Sequence, residues 1–490
     1  MKTIKIMVLS VLFCIFNANV CLSFYSADLD GDGRLTIKDA INALHVLVGQ
    51  DVTPLPPNEI DVNNDNKIGM EELVYILQHI AGIKTSICLP RIWDGDVVID
   101  SQASFGHFVG YTEINGNLTI SGMQLQDFGG LECLQTIDGA LVVSGNDSLR
   151  SFKGLENLSA VKGSVVIHDN PSLAYLAGLE GVAAVNESLR IYNNKSLKSL
   201  EGLNNLTKVG GISLLGSLYI SGNSSLADVN ALGSLSSVAK YCTINRNNAL
   251  LNVDGLSNLS SVNGLVISNN RVLTDISGLS GIEEIPWNLE IRNNAALQGL
   301  DGLEHIAFVG GSVTIQNNDS LDSLAGLAAL YSIQKDLVIE NNQKLLNLAG
   351  LNNLRIIYND YADGELRIKD NESLGSLFGL NSLYYAGGHV IIENNDSMTS
   401  LNGFNSLAIV GGRLSIIGND SLVNLDYLGS LLSIGTGTST VYDNLYEVSN
   451  NAALCSQLAS DLIGNVELDN GSMSRDNSIV ITGNKDCPAN

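Results

Sequence analysis

The stretch SLRIYNNKSLKSLEGLNNLTKVGG, residues 188–211, decides the fold of most of this chain. Leu189 and Ile191 alternate as the inward side chains of a strand do, and Asn194 follows them. The next apolar residues recur at every third position, at Leu197, Leu200, Leu203, Leu206 and Val209. A spacing of three fits neither an α-helix of 3.6 residues per turn nor an extended strand. It predicts a coil that turns corners and points one apolar residue inward on each side.

The same pattern recurs from about Cys88 onward. Each repeat contains a leucine, once a phenylalanine, that usually follows glycine, and the intervals are 24 residues with one of 23 and two of 29. These positions are Leu131, Leu155, Leu179, Leu203, Leu232, Leu256, Leu279, Leu303, Leu327, Leu351, Leu380, Phe404 and Leu428. A fixed period of this size indicates a solenoid. No helix-sized segment remains within a repeat, which favours a mostly β, β-helix-like solenoid over a horseshoe backed by helices.

Inward strand pairs should stack at about 4.8 Å per turn into one long parallel sheet. Such pairs include Leu141 and Val143, Val165 and Ile167, Leu218 and Ile220, Leu289 and Ile291, Val313 and Ile315, Leu337 and Ile339, and Leu414 and Ile416. An asparagine follows each strand, at Asn146, Asn170, Asn194, Asn223, Asn247, Asn270, Asn294, Asn318, Asn342, Asn371, Asn395 and Asn419. We predict that these side chains point inward and form a ladder, because identical stacked amides satisfy one another and the strand ends. A functional polar stripe is the alternative.

The stretch GNLTISG at 116–122, the recurrent frame LxIxxNxxLxxLxGLxxLxxI and a cysteine near its start resemble the receptor L domain of the insulin and epidermal growth factor receptors and their microbial surface relatives. The resemblance covers roughly residues 88–487. It implies a right-handed single-stranded parallel β-helix that binds ligands on a sheet face and has no catalytic residues. Because the frame is far longer than one receptor L domain, an extended array and two fused units both fit.

The cysteines fit a solenoid with capped ends. Cys88 and Cys133 flank the first turn and Cys455 and Cys487 the last, so we predict two cap disulfides in an oxidising compartment. Capping is needed because an open solenoid end exposes strand edges. Cys242 falls on an inward strand position and is predicted to be a buried free thiol.

A recognition surface must come from positions that do not repeat, because a scaffold repeats. Outward strand positions carry charges and occasional aromatic rings, at Arg190, Tyr192, Tyr219, Glu290, Arg292, Glu340, Arg367, Lys369 and Glu393. An ordinary solvated sheet is the simpler explanation for any one of them taken alone.

The two longer repeats add GGISLLG at 210–216 and YNDYADG at 358–364, each just before a strand, so both should project from one edge. Tyr358, Asp360, Tyr361 and Asp363 make the second segment the better candidate for ligand contact. A tolerated insertion is the alternative.

Two acidic twelve-residue segments precede the repeats, DLDGDGRLTIKD at 28–39 and DVNNDNKIGMEE at 61–72. Each has oxygen-bearing side chains at positions 1, 3, 5 and 12, the spacing with which an EF-hand loop surrounds Ca²⁺. The predicted ligands are Asp28, Asp30, Asp32, Arg34, Thr36 and Asp39 in the first loop and Asp61, Asn63, Asp65, Lys67 and Glu72 in the second, with Arg34 and Lys67 contributing backbone carbonyls. We predict two Ca²⁺ sites, the second weaker because Asn66 replaces the glycine expected at position 6. An acidic turn without metal is the alternative.

One apolar stretch with helical spacing follows each loop, and each ends in glycine, Gly49 or Gly82. Loop then helix, twice, at an offset of 33 residues resembles the dockerin module, over roughly residues 24–84 and including the apolar position 8 of each loop, Leu35 and Ile68. The resemblance implies an all-α, calcium-dependent module that docks onto a cohesin-type partner. The partner-contacting positions 10 and 11 hold Ile37 and Lys38, then Met70 and Glu71, where the best-known dockerins have Ser-Thr. Packing on the chain's own neighbouring domain is the alternative use.

The N-terminus and the composition indicate an exported globular protein. Lys2 and Lys5 precede the short apolar run IMVLSVLFCIF, which predicts a signal peptide over residues 1–23, with a retained anchor as the alternative. We expect a dockerin-like module over residues 24–87 and the solenoid over 88–490. The net charge of −25 argues against nucleic acid and anionic membranes as partners. With 45% hydrophobic and 16% charged residues the chain should form a core.

Enzymatic chemistry finds no support in the sequence. No nucleophile elbow, HExxH motif or phosphate loop is present, and the six histidines are scattered. Arg367, Lys369 and Asp370 come nearest to a lyase-like cluster. We therefore expect a secreted, non-catalytic protein that recognises protein or carbohydrate through its solenoid, with a carbohydrate-active enzyme or a targeting subunit in polysaccharide degradation as the alternative. A third interpretation treats calcium as purely structural.

Overall fold

The fold is described from a computed structural model of the chain, which covers residue 29 and residues 36–49, 67–80, 88, 90–211, 216–358, 364–435, 444–469 and 479–487. The described residues belong to two compact units. The N-terminal unit lies within residues 1–93, 108–113 and 130–135, and the solenoid unit within residues 94–107, 114–129 and 136–490. The predicted signal peptide, residues 1–23, lies outside the described residues.

Two helices form the described core of the N-terminal unit, α1 at Ile37–Leu47 and α2 at Met70–Ile80. Helix α1 begins where Thr36 caps it: the Thr36 hydroxyl accepts a hydrogen bond from the Lys38 backbone and Asp39 completes a capping box. It ends before Gly49, whose φ of +75° is the left-handed conformation common after a helix. The two helices and Leu29 share a small core of Leu29, Ala40, Ala43, Leu73 and Ile76. Both predicted helices are therefore present, while Gly82 lies outside the described residues.

The N-terminal unit also contains the predicted disulfide between Cys88 and Cys133. Three rings of the same unit, Trp93, Phe108 and Tyr111, pack against one another with centroids 5.1 to 5.8 Å apart. The Arg91 guanidinium lies 4.0 Å from the Tyr111 ring centroid. These residues form an aromatic cluster within the unit.

The solenoid unit is a parallel β-solenoid of about 14 turns. The strands of its main sheet come from successive turns and pair in parallel register, so that Leu189 lies between Val165 and Leu218. Side chains alternate between buried and partly exposed along most of these strands, as the period of two predicts. The strands are Val97–Ile99, Leu118–Ser121, Leu141–Ser144, Val165–His168, Leu189–Tyr192, Leu218–Ser221, Ser237–Asn245, Ser261–Ser268, Leu289–Arg292, Val313–Gln316, Leu337–Glu340, Leu366–Lys369, Val390–Glu393, Leu414–Ile417, Tyr446–Ser449 and Ile479–Thr482.

A second, narrower sheet contributes a two-residue strand to most turns. Its strands are Thr136–Ile137, Ala160–Val161, Ala184–Val185, Lys208–Val209, Glu284–Ile285, Phe308–Val309, Ser332–Ile333, Ile356–Ile357, Tyr385–Ala386, Ile409–Val410, Ser433–Ile434 and Glu467–Leu468. The long strands Ser237–Asn245 and Ser261–Ser268 run around the corner and join both sheets. Pairing in the second sheet is interrupted after Ser261–Ser268, in the turn that is one residue shorter than its neighbours. Two further short strands, Ile92–Asp94 and Glu113–Asn115, lie near the start of the coil.

The third side of each turn explains the spacing of three. Backbone amides there donate to the carbonyl three residues earlier, as Leu203 does to Leu200 and Leu206 to Leu203. A backbone with this hydrogen bond advances three residues per turn, so every third side chain points the same way, which here is inward. Short 3₁₀ helices occur at Asn230–Leu232, Asp254–Leu256, Ser277–Leu279, Ala325–Leu327 and Asp426–Leu428. In the described residues 136–435 no α-helix occurs, which confirms the prediction of a β-solenoid without a helical back. The unit's helices are α3, Gln102–His107, and α4, Ser456–Gly464.

The glycine of the recurrent Gly-Leu pair is required by close stacking of turns. A Cβ built on Gly326 would lie closer to the Leu300 carbonyl oxygen of the preceding turn than real Cβ atoms approach. The same holds for the equivalent glycines Gly154, Gly178, Gly202, Gly255, Gly278, Gly302, Gly350, Gly379 and Gly403, each against the turn before. The pair therefore sets the distance between neighbouring turns.

The asparagines form the predicted ladder. Asn247 is fully buried; its Oδ1 accepts from the Asn223 backbone amide at 3.1 Å and its Nδ2 donates to the Ile220 carbonyl at 3.0 Å. Its own backbone amide donates to Oδ1 of Asn270 at 3.0 Å, and the same pattern links successive turns from Asn146 onward. The ladder extends beyond the predicted set to Asn451 and Asn484. Because the asparagine amides are buried and hydrogen-bonded to one another, the ladder has a structural role, as predicted, and the alternative of a functional polar stripe is not needed.

Candidate functional site

The paired loops place two of the predicted calcium ligands in equivalent, buried positions. Asp39 and Glu72, at position 12 of each loop, are both fully buried. Asp39 Oδ2 accepts from the Thr36 backbone amide at 2.7 Å, and Glu72 Oε2 accepts from the Gly69 amide at 2.5 Å, so position 9 donates to position 12 in both loops. Asp39 Oδ1 also accepts from the Leu29 amide at 2.8 Å.

Of the other predicted ligands, Thr36 is half-buried and Lys67 is exposed. Asp28, Asp30, Asp32, Arg34, Asp61, Asn63 and Asp65 lie outside the described residues. Within the described part of the chain, no three His, Cys, Asp or Glu side chains gather as a metal-binding group. Hard carboxylate oxygens buried at a helix start nevertheless fit Ca²⁺, because burying a carboxylate is costly unless cations or N–H donors surround it.

Each of the two helices carries a second apolar stripe that faces solvent. On α1 the exposed large apolar side chains are Ile37, Ile41, Leu44 and Leu47, and on α2 they are Met70, Val74, Leu77 and Ile80. Each member of the first set is related to one of the second by the same offset of 33 residues as the loops, with Ile41 45% and Val74 38% exposed. The stripes include loop position 10 of each copy, Ile37 and Met70, while Lys38 is exposed and the Glu71 side chain lies outside the description. Apolar side chains repeated on a solvent-facing side favour a binding surface over chance exposure.

On the solenoid, five outward residues of the main sheet and one residue just before a main-sheet strand form what we call the aromatic face. They are His168, Arg190, Tyr192, Tyr219 and Tyr241, together with Trp287. His168 and Tyr192, in neighbouring turns, stack with centroids 4.6 Å apart and planes 3° apart. Tyr219, one turn further, is turned by 71° from Tyr192 at 6.1 Å. The Arg190 guanidinium lies beside both tyrosines, 5.7 Å from the Tyr192 ring centroid and 5.5 Å from that of Tyr219. His168 Nδ1 pairs with Asp169 at 2.7 Å, and this hydrogen bond is the main cause that lowers the pKa of Asp169.

The second part of the aromatic face depends on the short turn. Tyr241 lies opposite Gly264, where the register shifts, and a Cβ on Gly264 would collide with the Tyr241 ring. The ring reaches across this gap to Trp287, with centroids 5.3 Å apart. Burial, followed by the charge of Glu290, raises the pKa of Tyr241. The glycine thus lets two rings from turns that are not adjacent form one apolar patch.

The charged outward positions further along the main sheet satisfy one another. Arg292 pairs with Glu290 at 2.6 Å, Lys369 with Glu393 at 3.2 Å, and Arg413 with Glu447 at 3.9 Å. Arg367 pairs with Glu365 at 2.5 Å and with Glu340 at 3.8 Å. Lys369 and Glu393 are an in-register pair between neighbouring strands, a contact that stabilises a sheet. Arg292 and Arg367 find carboxylates two residues away in their own strand segments, and the remaining pairs are diagonal.

The pKa values of Glu340 and Arg367 are both raised. Burial raises the pKa of Glu340 despite the neighbouring cations, and the hydrogen bond to Glu365 raises that of Arg367. Asp370 accepts a hydrogen bond from Asn394 Nδ2 at 3.0 Å. The cluster of Arg367, Lys369 and Asp370 therefore has a structural explanation for each member.

The longer repeats share one corner of the coil. The described residues before 212–215 and 359–363 belong to the short strands Lys208–Val209 and Ile356–Ile357, and the residues after them to main-sheet strands. Tyr358 is 39% exposed and its ring lies 5.5 Å from that of Tyr385. Asp360, Tyr361 and Asp363 lie outside the described residues.

Sequence reasoning named Arg190, Tyr192 and Tyr219 as outward residues but missed His168, Tyr241 and Trp287. The signal for His168 was available, because its position follows the same alternation as Tyr192. Tyr241 lies within the long strand Ser237–Asn245 and Trp287 precedes the strand Leu289–Arg292. The single interval of 23 residues marks in the sequence the short turn between them.

The two remaining cysteine predictions are confirmed. Cys455 and Cys487 form a disulfide in the solenoid unit. Cys242 is a fully buried free thiol, and burial raises its pKa to about 12. Both disulfides are compatible with an extracellular protein. In the described part of the chain, no helix has the length and apolar character needed to cross a membrane.

The fold and the aromatic face define a leucine-rich parallel β-solenoid with a candidate ligand-binding sheet. Residues 111–177 match the family model of the Receptor L domain, which supports the expected L-domain-like solenoid. No curated protein matches the chain.

Proposed function

We propose that the protein is an exported, non-catalytic binding protein whose solenoid recognises a protein or carbohydrate ligand through the main sheet. The observation that carries this proposal is the aromatic face. Scaffold positions in this solenoid repeat from turn to turn, whereas the stacked and crossed rings between His168 and Trp287 occur once. Exposed aromatic residues that a scaffold does not need are typical of recognition surfaces.

We further propose that residues 24–87 form a dockerin-like module that binds two Ca²⁺ ions and docks to a cohesin-type partner. Supporting this are the equivalent buried carboxylates Asp39 and Glu72 and the matching exposed stripes on the two helices. Bound Ca²⁺ would supply positive charge to the carboxylates and hold each loop against the start of its helix. A helix pair with an apolar outer side then offers the partner a preformed surface.

The docking proposal is tested with the full chain against a panel of purified cohesin domains. We expect retention in Ca²⁺ and loss of retention in chelator. The double substitution Ile41→Asp and Val74→Asp should abolish retention, because it places charge in both stripes. Val98→Asp is the matched control, since Val98 is an exposed apolar residue of the solenoid unit, 57% accessible.

Retention that survives both chelator and the double substitution would contradict docking through these helices. If no cohesin binds while Ca²⁺ still raises the unfolding temperature, calcium is a folding cofactor and the third interpretation holds. Release of reducing ends from a bound polysaccharide would instead favour the alternative function, a carbohydrate-active enzyme in polysaccharide degradation.

A further inference from the structure

Arg190 differs from four other cations on or next to strands of the main sheet. The side chains of Arg292, Arg367, Lys369 and Arg413 each form an ion pair with a carboxylate. Within the described residues, Arg190 forms no ion pair and donates no side-chain hydrogen bond, and its guanidinium lies 5.7 Å from the Tyr192 ring centroid and 5.5 Å from that of Tyr219. A guanidinium has five N–H donors, so this exposed group offers its full donor set to a ligand.

The tyrosine rings beside Arg190 lie at an angle to each other. Tyr192 is stacked on His168, and Tyr219 is turned by 71° from it, so the tyrosines form an open angle with Arg190 within 5.7 Å of both centroids. The hydroxyls of Tyr192 and Tyr219 form no hydrogen bond to another described residue. Rings, free hydroxyls and an unpaired cation together suit a ligand with an apolar face, polar edges and a negative charge.

The net charge of −25 does not neutralise Arg190 by contact. Asp169, in the adjoining turn, binds His168 at 2.7 Å, and Glu187, three residues before Arg190, accepts from Ser164 at 2.9 Å. Charges further away than about 8–10 Å are largely screened at physiological ionic strength. A ligand contact at hydrogen-bond distance therefore depends on the Arg190 guanidinium and not on the net charge of the chain.

The sheet favours a glycan over a peptide as the ligand. The strand that carries Arg190 pairs on both sides, with Val165–His168 and with Leu218–Ser221, so no backbone edge is free to take up an extended peptide. Recognition must use side chains only, which suits a saturated sugar ring. Tyr241, on the strand next to that of Tyr219, and Trp287, whose ring contacts that of Tyr241, extend the aromatic surface for a polymer.

Resting on the proposed function, we propose that Arg190, Tyr192 and Tyr219 form a subsite for an acidic sugar residue of a polysaccharide. The Arg190 guanidinium pairs with the carboxylate or sulfate of that residue, the tyrosines pack against its ring, and the patch of Tyr241 and Trp287 holds a neighbouring sugar residue.

The test measures affinity of the full chain for four probes: polygalacturonate, dextran sulfate, neutral cellohexaose and poly-glutamate. We expect binding to polygalacturonate or dextran sulfate, and which of the two binds identifies the anionic group. Arg190→Gln and Tyr219→Ala should each weaken that binding about tenfold, the loss expected when a charged hydrogen bond or a ring contact is removed. Arg271→Gln removes an exposed cation outside the aromatic face and should leave affinity unchanged.

The failures are distinguishable. If Tyr219→Ala weakens binding of cellohexaose while Arg190→Gln has no effect, the face binds ligand but the acidic-sugar inference is overturned. Binding of poly-glutamate without either acidic polysaccharide overturns it in favour of an acidic peptide. If the double substitution Tyr219→Ala and Trp287→Ala changes binding of no probe, both this inference and recognition through the aromatic face fail. Circular dichroism of each variant establishes that the solenoid is folded.

Discussion

Replacing one rung of the asparagine ladder tests what holds the solenoid together. Asn247→Ala removes the acceptor of the Asn223 backbone amide, 3.1 Å away, and the donor to the Ile220 carbonyl, 3.0 Å away. Both groups are buried, and each polar group left without a partner costs about 1–3 kcal/mol. We therefore expect a loss of about 2–6 kcal/mol in the free energy of unfolding.

The neighbouring residue provides the control. Asn248 is exposed and forms no hydrogen bond to another described residue, so Asn248→Ala should change stability by less than about 0.5 kcal/mol. Asn247→Asp keeps an acceptor but replaces the amide donor by a buried carboxylate. Because burial favours the protonated acid, the pKa of that carboxyl should be higher in the folded state, and stability should rise as pH falls through it.

Urea unfolding followed by circular dichroism gives the free energies, and hydrogen exchange shows where protection is lost. In a solenoid each turn contacts its neighbours, so we expect the loss of protection to centre on residues 218–268. Equal stabilities of Asn247→Ala and Asn248→Ala would refute the reasoning, since the ladder would then contribute nothing beyond an exposed amide.

Three further outcomes follow from single residues. Gly326→Ala should destabilise the protein by about 1–3 kcal/mol, because its Cβ would collide with the Leu300 carbonyl. Gly299→Ala should be neutral, because the nearest atoms, those of the Asp301 side chain, are 4.0 Å from the added Cβ. Urea unfolding of both variants checks this, and equal losses of stability would contradict it. Arg246→Asn should stabilise by about 1 kcal/mol, since Arg246 has a φ of +55° that asparagine tolerates better; an unchanged urea midpoint would disprove it. Cys242 should resist alkylation at pH 8 in the folded protein and react once unfolded, as peptide mass spectrometry can show. Because burial raises its pKa from 9.0 to about 12, its contribution to stability is complete below pH 9 and is lost as the pH rises toward 12.

The repeat made the solenoid predictable, because inward positions such as Leu189 and Ile191 must recur in register if turns are to stack. The inward asparagines followed from the same argument. What was missed is the residue before each ladder asparagine, which adopts left-handed φ of +54° to +58° at Asp169, Asn193, Arg246, Asn269, Asn293, Asn317, Asn341, Asp370, Asn394 and Asn450. The Asn-Asn and Asp-Asn pairs in the sequence were a usable signal, because these residues tolerate that conformation. Asn451 and Asn484 were missed because the intervals that separate them from Asn419 exceed the usual period.

The candidate site was less predictable because it depends on departures from the repeat. Tyr241 and Trp287 meet only because one turn is a residue short and has Gly264 where a side chain would intervene. A periodic pattern predicts which residues occupy equivalent positions in successive turns. It does not predict contact between side chains two turns apart, which depends on the side chain of the turn between them. The ion pairs of Arg367 with Glu365 and Glu340 could not be predicted either. The alternation of inward and outward positions shows which charges face outward, but not which of them pair with one another.

The same reasoning explains why Arg190 stands out as a site while the more numerous charges near Arg367 do not. Outward cations such as Arg292, Arg367 and Lys369 are neutralised by carboxylates of the same strand segment or of the neighbouring strand, which leaves little of their charge for a ligand. Rings beside a cation do not neutralise it: the Arg190 guanidinium lies within 5.7 Å of the Tyr192 and Tyr219 ring centroids and keeps its charge. A parallel solenoid can thus carry many charges as scaffold and keep Arg190 available, because the carboxylate of the adjoining turn, Asp169, pairs with His168 instead.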